Sequence, residues 1–165
     1  MKQIISNCYL TRKMIAEISL WEKKYPRNQK ASIVIPCLHI IQQNNNGYLT
    51  MELMKSLANY LGLPFTIVYE LATFYSMYNL EPVGKNIINI CTNISCLLNG
   101  ADDIVKFVEK KLSTPVGETS KDGKFTIKTV ECQGACCGAP MLELNRVFYE
   151  KLDFDKVEKI LDGIK

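Results

Sequence analysis

Residues 86–96 read NIINICTNISC, and residues 125–136 read FTIKTVECQGAC. Each stretch begins with a short run of β-branched and apolar side chains, which predicts a strand, and ends in a loop with two cysteines. The segment Ala101 to Leu112 has helical spacing, and a helical crossover of this kind joins parallel strands. Both strands would then end at one edge of a sheet, where open α/β sheets bind ligands. The sequence therefore predicts that four thiols meet there: Cys91, Cys96, Cys132 and Cys136.

The segments after the second cysteine loop complete the predicted sheet. MLELN at 141–145 and RVFY at 146–149 predict two further short strands. Asp153 is placed to start a last helix, whose apolar face carries Val157, Ile160 and Leu161. The order βαβ-ββ-α is typical of the thioredoxin-like fold. The predicted fold class is therefore α/β, with an N-terminal helical bundle followed by a thioredoxin-like domain.

The bundle is predicted from the helical period that runs from Thr11 to about Leu80. It resolves into four short amphipathic helices, which begin near Thr11, Ala31, Thr50 and Pro64. Pro36 is tolerable in the first turn of the second helix but would kink that helix further in. The sequence EPVGK at 81–85 ends the helical period, which predicts two domains, 1–82 and 83–165.

Composition excludes several classes of protein. The chain of 165 residues has 20 basic and 17 acidic side chains, a balance that gives no reason to expect nucleic acid as a partner. It has no apolar run near the ~20 residues that cross a bilayer, so direct membrane insertion is not expected. The first ten residues lack the features of a secretory signal. The seven cysteines therefore predict thiolate chemistry in a reducing compartment rather than disulfides.

The spacing of the four cysteines leaves two kinds of metal centre open. Gaps of four and three residues lie within the range of structural zinc sites, and iron–sulfur clusters also use four thiolates. A thiol–disulfide active site would normally show C-x-x-C, which the chain lacks. The small residues Gly134, Ala135, Gly138 and Ala139 favour the cluster, because they let backbone N–H groups approach its charged sulfurs.

Four longer stretches resemble a known family. They are ATFYSMYNLEPVGKN at 72–86, CTNISC at 91–96, GETSKDGKFT at 117–126 and VECQGACCGAP at 130–140. Together they closely resemble the E-subunit family of NADH-quinone oxidoreductases, the thioredoxin-like [2Fe–2S] ferredoxins of the flavoprotein fraction of respiratory complex I. The resemblance covers the chain from about Ser32 onward.

The resemblance implies a function and a set of ligands. It assigns Cys91, Cys96, Cys132 and Cys136 to one [2Fe–2S] cluster that exchanges an electron with FMN. It implies that FMN and NADH are bound by the partner subunit, that the large iron–sulfur subunit lies nearby, and that this chain has no substrate-binding catalytic site of its own. It places the chain in the peripheral arm, at the cytoplasmic face of a bacterial inner membrane or on the matrix side of a mitochondrial one. Related subunits serve NAD-linked hydrogenases and formate dehydrogenases, which stay open as alternatives.

Cys137 departs from the family pattern by following the fourth ligand directly. Adjacent side chains on an extended loop diverge, so we expect Cys136 rather than Cys137 to be the ligand. Thr92 and Ser95 are candidate donors to cluster sulfur, and loop capping is the equal alternative.

The remaining candidates have simpler interpretations. Cys8 and Cys37 are expected to be small apolar residues of helices, because free cysteine is often buried. His39 is expected to be a hydrogen-bonded core or interface residue rather than a metal ligand. One aromatic group is expected first of all to have a packing role, with a subunit contact as the second interpretation; it comprises Phe74, Tyr75 and Tyr78.

Overall fold

The computed structural model of the chain describes residues 9–26 and 28–164. Its contacts divide the chain into two compact units, Met1–Pro82 and Val83–Lys165. The prediction for Cys8 lies outside the described residues. None of the helices in the described part of the chain has both the length and the apolarity needed to cross a membrane.

The described residues of the first unit form four α-helices: α1 (Arg12–Glu22), α2 (Val34–Asn44), α3 (Met51–Leu61) and α4 (Phe65–Phe74). Local signals set several of their ends. The hydroxyl of Thr50 accepts a hydrogen bond from the backbone N–H of Leu53, which caps α3. Gly62 ends the same helix with φ +67°, in the left-handed region that favours glycine. Apolar side chains from all four helices form one buried core, which includes Ile18, Leu38, Leu57 and Val68.

Helix α2 starts three residues later than the sequence predicts. A 3₁₀ turn spans Lys30–Ile33, and the α-helix begins only at Val34. Pro36 therefore lies in the first turn of α2, where an α-helix needs no backbone N–H donor. The expected start at Ala31 was wrong because it would have put the proline a full turn further into the helix.

The second unit is a mixed sheet with helices: β1 (Asn86–Cys91), α5 (Ile94–Leu98), α6 (Ala101–Leu112), β2 (Phe125–Val130), β3 (Leu142–Leu144), β4 (Val147–Tyr149) and α7 (Phe154–Asp162). The strand order is β2-β1-β3-β4, with β1 and β2 parallel and the other two pairs antiparallel. The α/β fold with a thioredoxin-like arrangement is confirmed.

The register of the parallel pair brings the two cysteine loops to one edge. Cys91, the last residue of β1, lies opposite Val130, the last residue of β2. Strand β3 runs the other way, and the backbone N–H of Cys91 donates to the carbonyl of Met141 just before it. Helices α6 and α7 contribute apolar side chains to the sheet's core, including Ile104, Val108, Val157 and Leu161. The packed sheet thus fixes where both loops begin.

Candidate metal centre

The first cysteine pair is buried. Cys91 ends β1, and Cys96 lies in the short helix α5, with each side chain only 2% exposed. Asn93 caps α5, because its side-chain oxygen accepts a hydrogen bond from the N–H of Ile94 at 3.0 Å. Burial and then a hydrogen bond with Cys91 raise the pKa of Cys96 to about 11. Sequence reasoning missed α5, although Asn93 is a strong helix-capping signal.

The second cysteine pair is exposed. Cys132 and Cys136 follow β2, and their Sγ atoms are 3.3 Å apart. The backbone N–H of Gly134 donates to the Cys132 sulfur at 3.4 Å, as the small-residue pattern predicts. That N–H, and then the Cys136 thiol, lower the pKa of Cys132, whereas the charge of Glu131 opposes the shift. Gly134 has φ +82°, a conformation that a residue with a Cβ rarely adopts.

Hydrogen bonds join the two loops directly. The backbone N–H of Thr92 donates to the carbonyl of Val130 at 3.1 Å. The side-chain N–H of Asn93 donates to a carboxylate oxygen of Glu131 at 2.5 Å. Ser95 hydrogen-bonds to Cys136, whose pKa is nevertheless raised, chiefly by the bond with Cys132. Of the two predicted sulfur donors, Ser95 therefore has such a contact, while the backbone of Thr92 ties the loops together.

The four sulfurs form two pairs in one site. Cys91 contacts Cys96, and Cys132 contacts Cys136. The charge of Cys136 raises the pKa of Cys96, and the charge of Cys91 raises the pKa of Cys136, so the two pairs lie close enough to interact. A single zinc ion with four thiolates at about 2.3 Å would need every pair of sulfurs about 3.8 Å apart. Within residues 9–26 and 28–164, no group of three or more His, Cys, Asp or Glu side chains is arranged to hold one metal ion.

Two pairs of thiolates are the donor set of a dinuclear iron–sulfur centre, in which each iron takes two thiolates. The wall behind the buried pair is apolar, because Cys91 and Cys96 pack with Ala101 and Met141. Donors reach the exposed pair from Gly134 and Ser95. Apolar burial on one side and hydrogen bonds on the other are surroundings that control the reduction potential of such centres.

Cys137 does not lie on an extended loop, which corrects the premise of the sequence argument. Residues Cys136–Gly138 form a 3₁₀ turn, in which successive side chains are rotated by about 120°. The thiols of Cys136 and Cys137 therefore diverge for a different reason than the one expected. Cys137 is exposed, and within the described part of the chain the thiol that contacts Cys132 is that of Cys136.

The other candidates lie in the helical unit. Cys37 is fully buried and its pKa is raised to about 12, mainly by burial and then by the charge of Glu22, so its apolar role is confirmed. The His39 ring packs against Tyr78 with centroids 5.1 Å apart. Tyr78 is buried, and its hydroxyl donates to the Ile35 carbonyl. The three aromatic rings pack on one another as expected, with centroids 5.1 Å apart for Phe74 and Tyr75 and 6.5 Å apart for Tyr75 and Tyr78, although Phe74 is 80% exposed at the end of α4.

Known proteins resemble the chain over most of its length. The E subunit of NADH-quinone oxidoreductase from Rickettsia typhi is 47% identical over 140 residues, which cover 85% of this chain and 82% of the relative. NADH dehydrogenase [ubiquinone] flavoprotein 2 of Dictyostelium discoideum is 37% identical over 155 residues, 94% of this chain and 63% of the relative.

A solved structure supports the fold alone. A chain of an NAD⁺-reducing [NiFe]-hydrogenase in the air-oxidised state superimposes with a TM-score of 0.70 at 17% identity, covering 85% of this chain and 24% of that one. The family model of the thioredoxin-like [2Fe-2S] ferredoxins matches residues 18–165. With its paired cysteines and its similarity to the rickettsial protein, this chain belongs to the thioredoxin-like [2Fe-2S] ferredoxin family, in the group of NADH-quinone oxidoreductase E subunits.

Proposed function

We propose that this chain is an electron-transfer subunit of an NADH-quinone oxidoreductase and that one [2Fe–2S] cluster is held by Cys91, Cys96, Cys132 and Cys136. The observation that carries the proposal is the arrangement of these thiols in two contacting pairs that interact with each other. When bound, such a cluster accepts and donates one electron at a time. The names of the relatives support the same role, because they are subunits of NADH dehydrogenases.

The chain's own residues bind the cluster and moderate its charge. Burial of Cys91 and Cys96 keeps water from one side of the site. An anionic group at such a position is costly unless hydrogen-bond donors face it. The N–H of Gly134 and the hydroxyl of Ser95 are the donors that reach the sulfurs of the other pair. Cys91 and Cys96 are thus shielded from water, whereas Cys132 and Cys136 are accessible to a partner.

The electron is exchanged with FMN, which is bound together with NADH by a partner subunit rather than by this chain. In support, the sequence has no G-x-G-x-x-G or P-loop pattern for nucleotide binding. The helix that carries Cys96 also exposes Ile94, Leu97 and Leu98 by 70%, 45% and 81%. Exposed apolar patches of this kind mark protein interfaces. Such a contact would bring the partner's flavin close to the exposed cysteine pair.

This role implies a place in the peripheral arm, near the large iron–sulfur subunit. In a bacterial cell the chain would lie at the cytoplasmic face of the inner membrane, and in a mitochondrion on the matrix side. The chain would then contribute to NADH oxidation without a substrate-binding catalytic site of its own. Binding of radiolabelled NADH to the isolated chain would contradict this division of labour.

The test is spectroscopy of the anaerobically purified chain. We expect a brown protein whose dithionite-reduced form gives a rhombic EPR signal, with two irons and two sulfides per chain as the cluster requires. Cys91→Ala and Cys132→Ala should each lose the signal, because each removes a ligand of one pair and alanine offers no replacement donor. Cys137→Ala is the matched control and should keep it. A colourless wild-type chain with stoichiometric zinc after cluster reconstitution would overturn the proposal.

A further inference from the structure

Asn93 connects the two cysteine loops through a single side chain. Its amide oxygen accepts from the N–H of Ile94 and so caps the helix that carries Cys96. Its amide N–H donates to the carboxylate of Glu131, 38 residues away in sequence. Glu131 immediately precedes Cys132. One asparagine therefore ties the helix of the buried pair to the residue next to the exposed pair.

The bond restrains a charge that would otherwise move freely. Glu131 is exposed, and an exposed carboxylate normally samples several rotamers in water. The hydrogen bond from Asn93 restrains it, and a bond to an ionised acceptor is stronger than one between neutral groups. The backbone bond from Thr92 to Val130 holds the main chains of both loops side by side. The carboxylate is thus kept against the cysteine loops instead of in bulk solvent.

A fixed negative charge beside an iron–sulfur centre has a definite consequence. Four thiolates make the oxidised cluster anionic, and reduction adds a further negative charge. A like charge nearby disfavours that step, and net charge is one of the main determinants of iron–sulfur reduction potentials. The carboxylate of Glu131 already acts against the negative form of Cys132.

On the basis of the function proposed above, we propose that Asn93 is a positioning residue that holds the Glu131 carboxylate beside the cysteine pairs, and that this carboxylate lowers the reduction potential of the bound cluster. The two residues have different roles in this effect. Asn93 acts through the position of Glu131, and Glu131 acts through its charge. The effect should shrink as salt is added, because both side chains are exposed and exposed charges are screened.

The test is a redox titration followed by EPR on the cluster-loaded chain. Glu131→Gln keeps an oxygen acceptor for Asn93 and removes the charge, so we expect a higher midpoint potential with unchanged cluster content. Asn93→Ala keeps the charge of Glu131 but removes the bond that restrains it, so we expect a smaller rise in the midpoint potential. The double variant should titrate like Glu131→Gln alone. The shift for Glu131→Gln should decrease between low and high salt.

Asp122→Asn is the matched control. The carboxylate of Asp122 also accepts hydrogen bonds, from the Ser120 hydroxyl and the Lys124 backbone N–H. It lies before the start of β2, whereas Glu131 follows the end of this six-residue strand, which puts the two acids roughly 20 Å apart. That separation exceeds the screening length of about 10 Å at 0.1 M salt. We therefore expect Asp122→Asn to leave the potential unchanged.

Two outcomes separate this inference from the function on which it rests. A wild-type chain that takes up no cluster overturns both. A loaded Glu131→Gln variant whose potential equals that of the wild type overturns only the inference. Hydrogen exchange in the metal-free chain gives a second check that does not need the cluster. Asn93→Ala should speed exchange at the amides of Cys132 and Gly134, whereas Glu131→Gln should not. Equal exchange in the wild type and both variants would overturn the positioning role of Asn93.

Discussion

At the scale of single residues, the same side chain serves opposite purposes in the two units. Cys37 is fully buried among apolar side chains, and burial, followed by the charge of Glu22, raises its pKa to about 12. Cys137 is exposed beside the metal centre. Because the thiolate is the reactive form, burial and a raised pKa both make a cysteine inert. The residue type alone therefore does not show which cysteine thiols of this chain can react.

We expect iodoacetamide to modify Cys137 in the native, cluster-loaded chain and to leave Cys37 unmodified. Peptide mapping by mass spectrometry after timed labelling measures both sites in one sample. As a control, Cys37 should label once the chain is unfolded in guanidinium chloride. Native-state labelling of Cys37 as fast as that of Cys137 would contradict the burial described for α2.

At the scale of elements, α7 begins at a side-chain cap, Asp153. The carboxylate of Asp153 accepts a hydrogen bond from the backbone N–H of Lys156 at 2.7 Å. Beyond this first turn, α7 buries Val157 and Leu161 in the core of the sheet unit. The cap satisfies one of the four N–H groups that every helix leaves without an internal partner. Removing the Asp153 side chain should therefore weaken the start of α7 and with it the packing of this helix on the sheet.

Asp153→Ala should lower the free energy of unfolding of the sheet unit by about 1 kcal/mol, the usual cost of losing an N-cap. Urea unfolding followed by far-UV circular dichroism measures it. Asp153→Asn is the matched variant and should retain most of the stability, because its amide oxygen accepts the same bond. An alanine variant as stable as the wild type would mean that the cap contributes nothing to α7.

At the scale of the whole molecule, the two units have separate cores. The helical core draws on α1 to α4, and the sheet core draws on β1 to β3, α6 and α7, with no residue in common. The buried cysteines of the metal centre, Cys91 and Cys96, pack in a further small cluster of the second unit. Trp21 is the single tryptophan of the chain and packs against the helical core. Its emission therefore reports on the first unit alone.

We expect residues 83–165, produced without the first unit, to fold and to take up the cluster. Each unit buries its own apolar surface, which is the main source of folding free energy. The visible spectrum and far-UV circular dichroism of the fragment test this, with residues 1–82 as the counterpart, judged by Trp21 emission. An unfolded 83–165 fragment that folds only when 1–82 is added would refute the division into two domains.

The sequence by itself determined the features that depend on near neighbours. The β-branched runs before Cys91 and Cys132 predicted β1 and β2, and Thr50 and Asp153 were the caps of α3 and α7. These signals are local, because a strand's side-chain pattern and a cap's hydrogen bond involve residues only a few positions apart. The thioredoxin-like order followed from them, because parallel neighbouring strands need a long crossover and the predicted helix between the two runs supplies it.

Only the tertiary structure decided how the four thiols are arranged and what surrounds them. The short helix α5, the 3₁₀ turn at Cys136–Gly138 and the burial of one cysteine pair but not the other were not predicted. The bond from Asn93 to Glu131 was invisible in the sequence as well. Helix α5 did have a local signal, the cap at Asn93, which was overlooked. The unequal burial of the two pairs and the bond from Asn93 to Glu131 instead depend on packing between loops that meet only when β1 and β2 pair. Contacts between residues some forty positions apart leave no periodic signal along the chain, so folding alone brings them together.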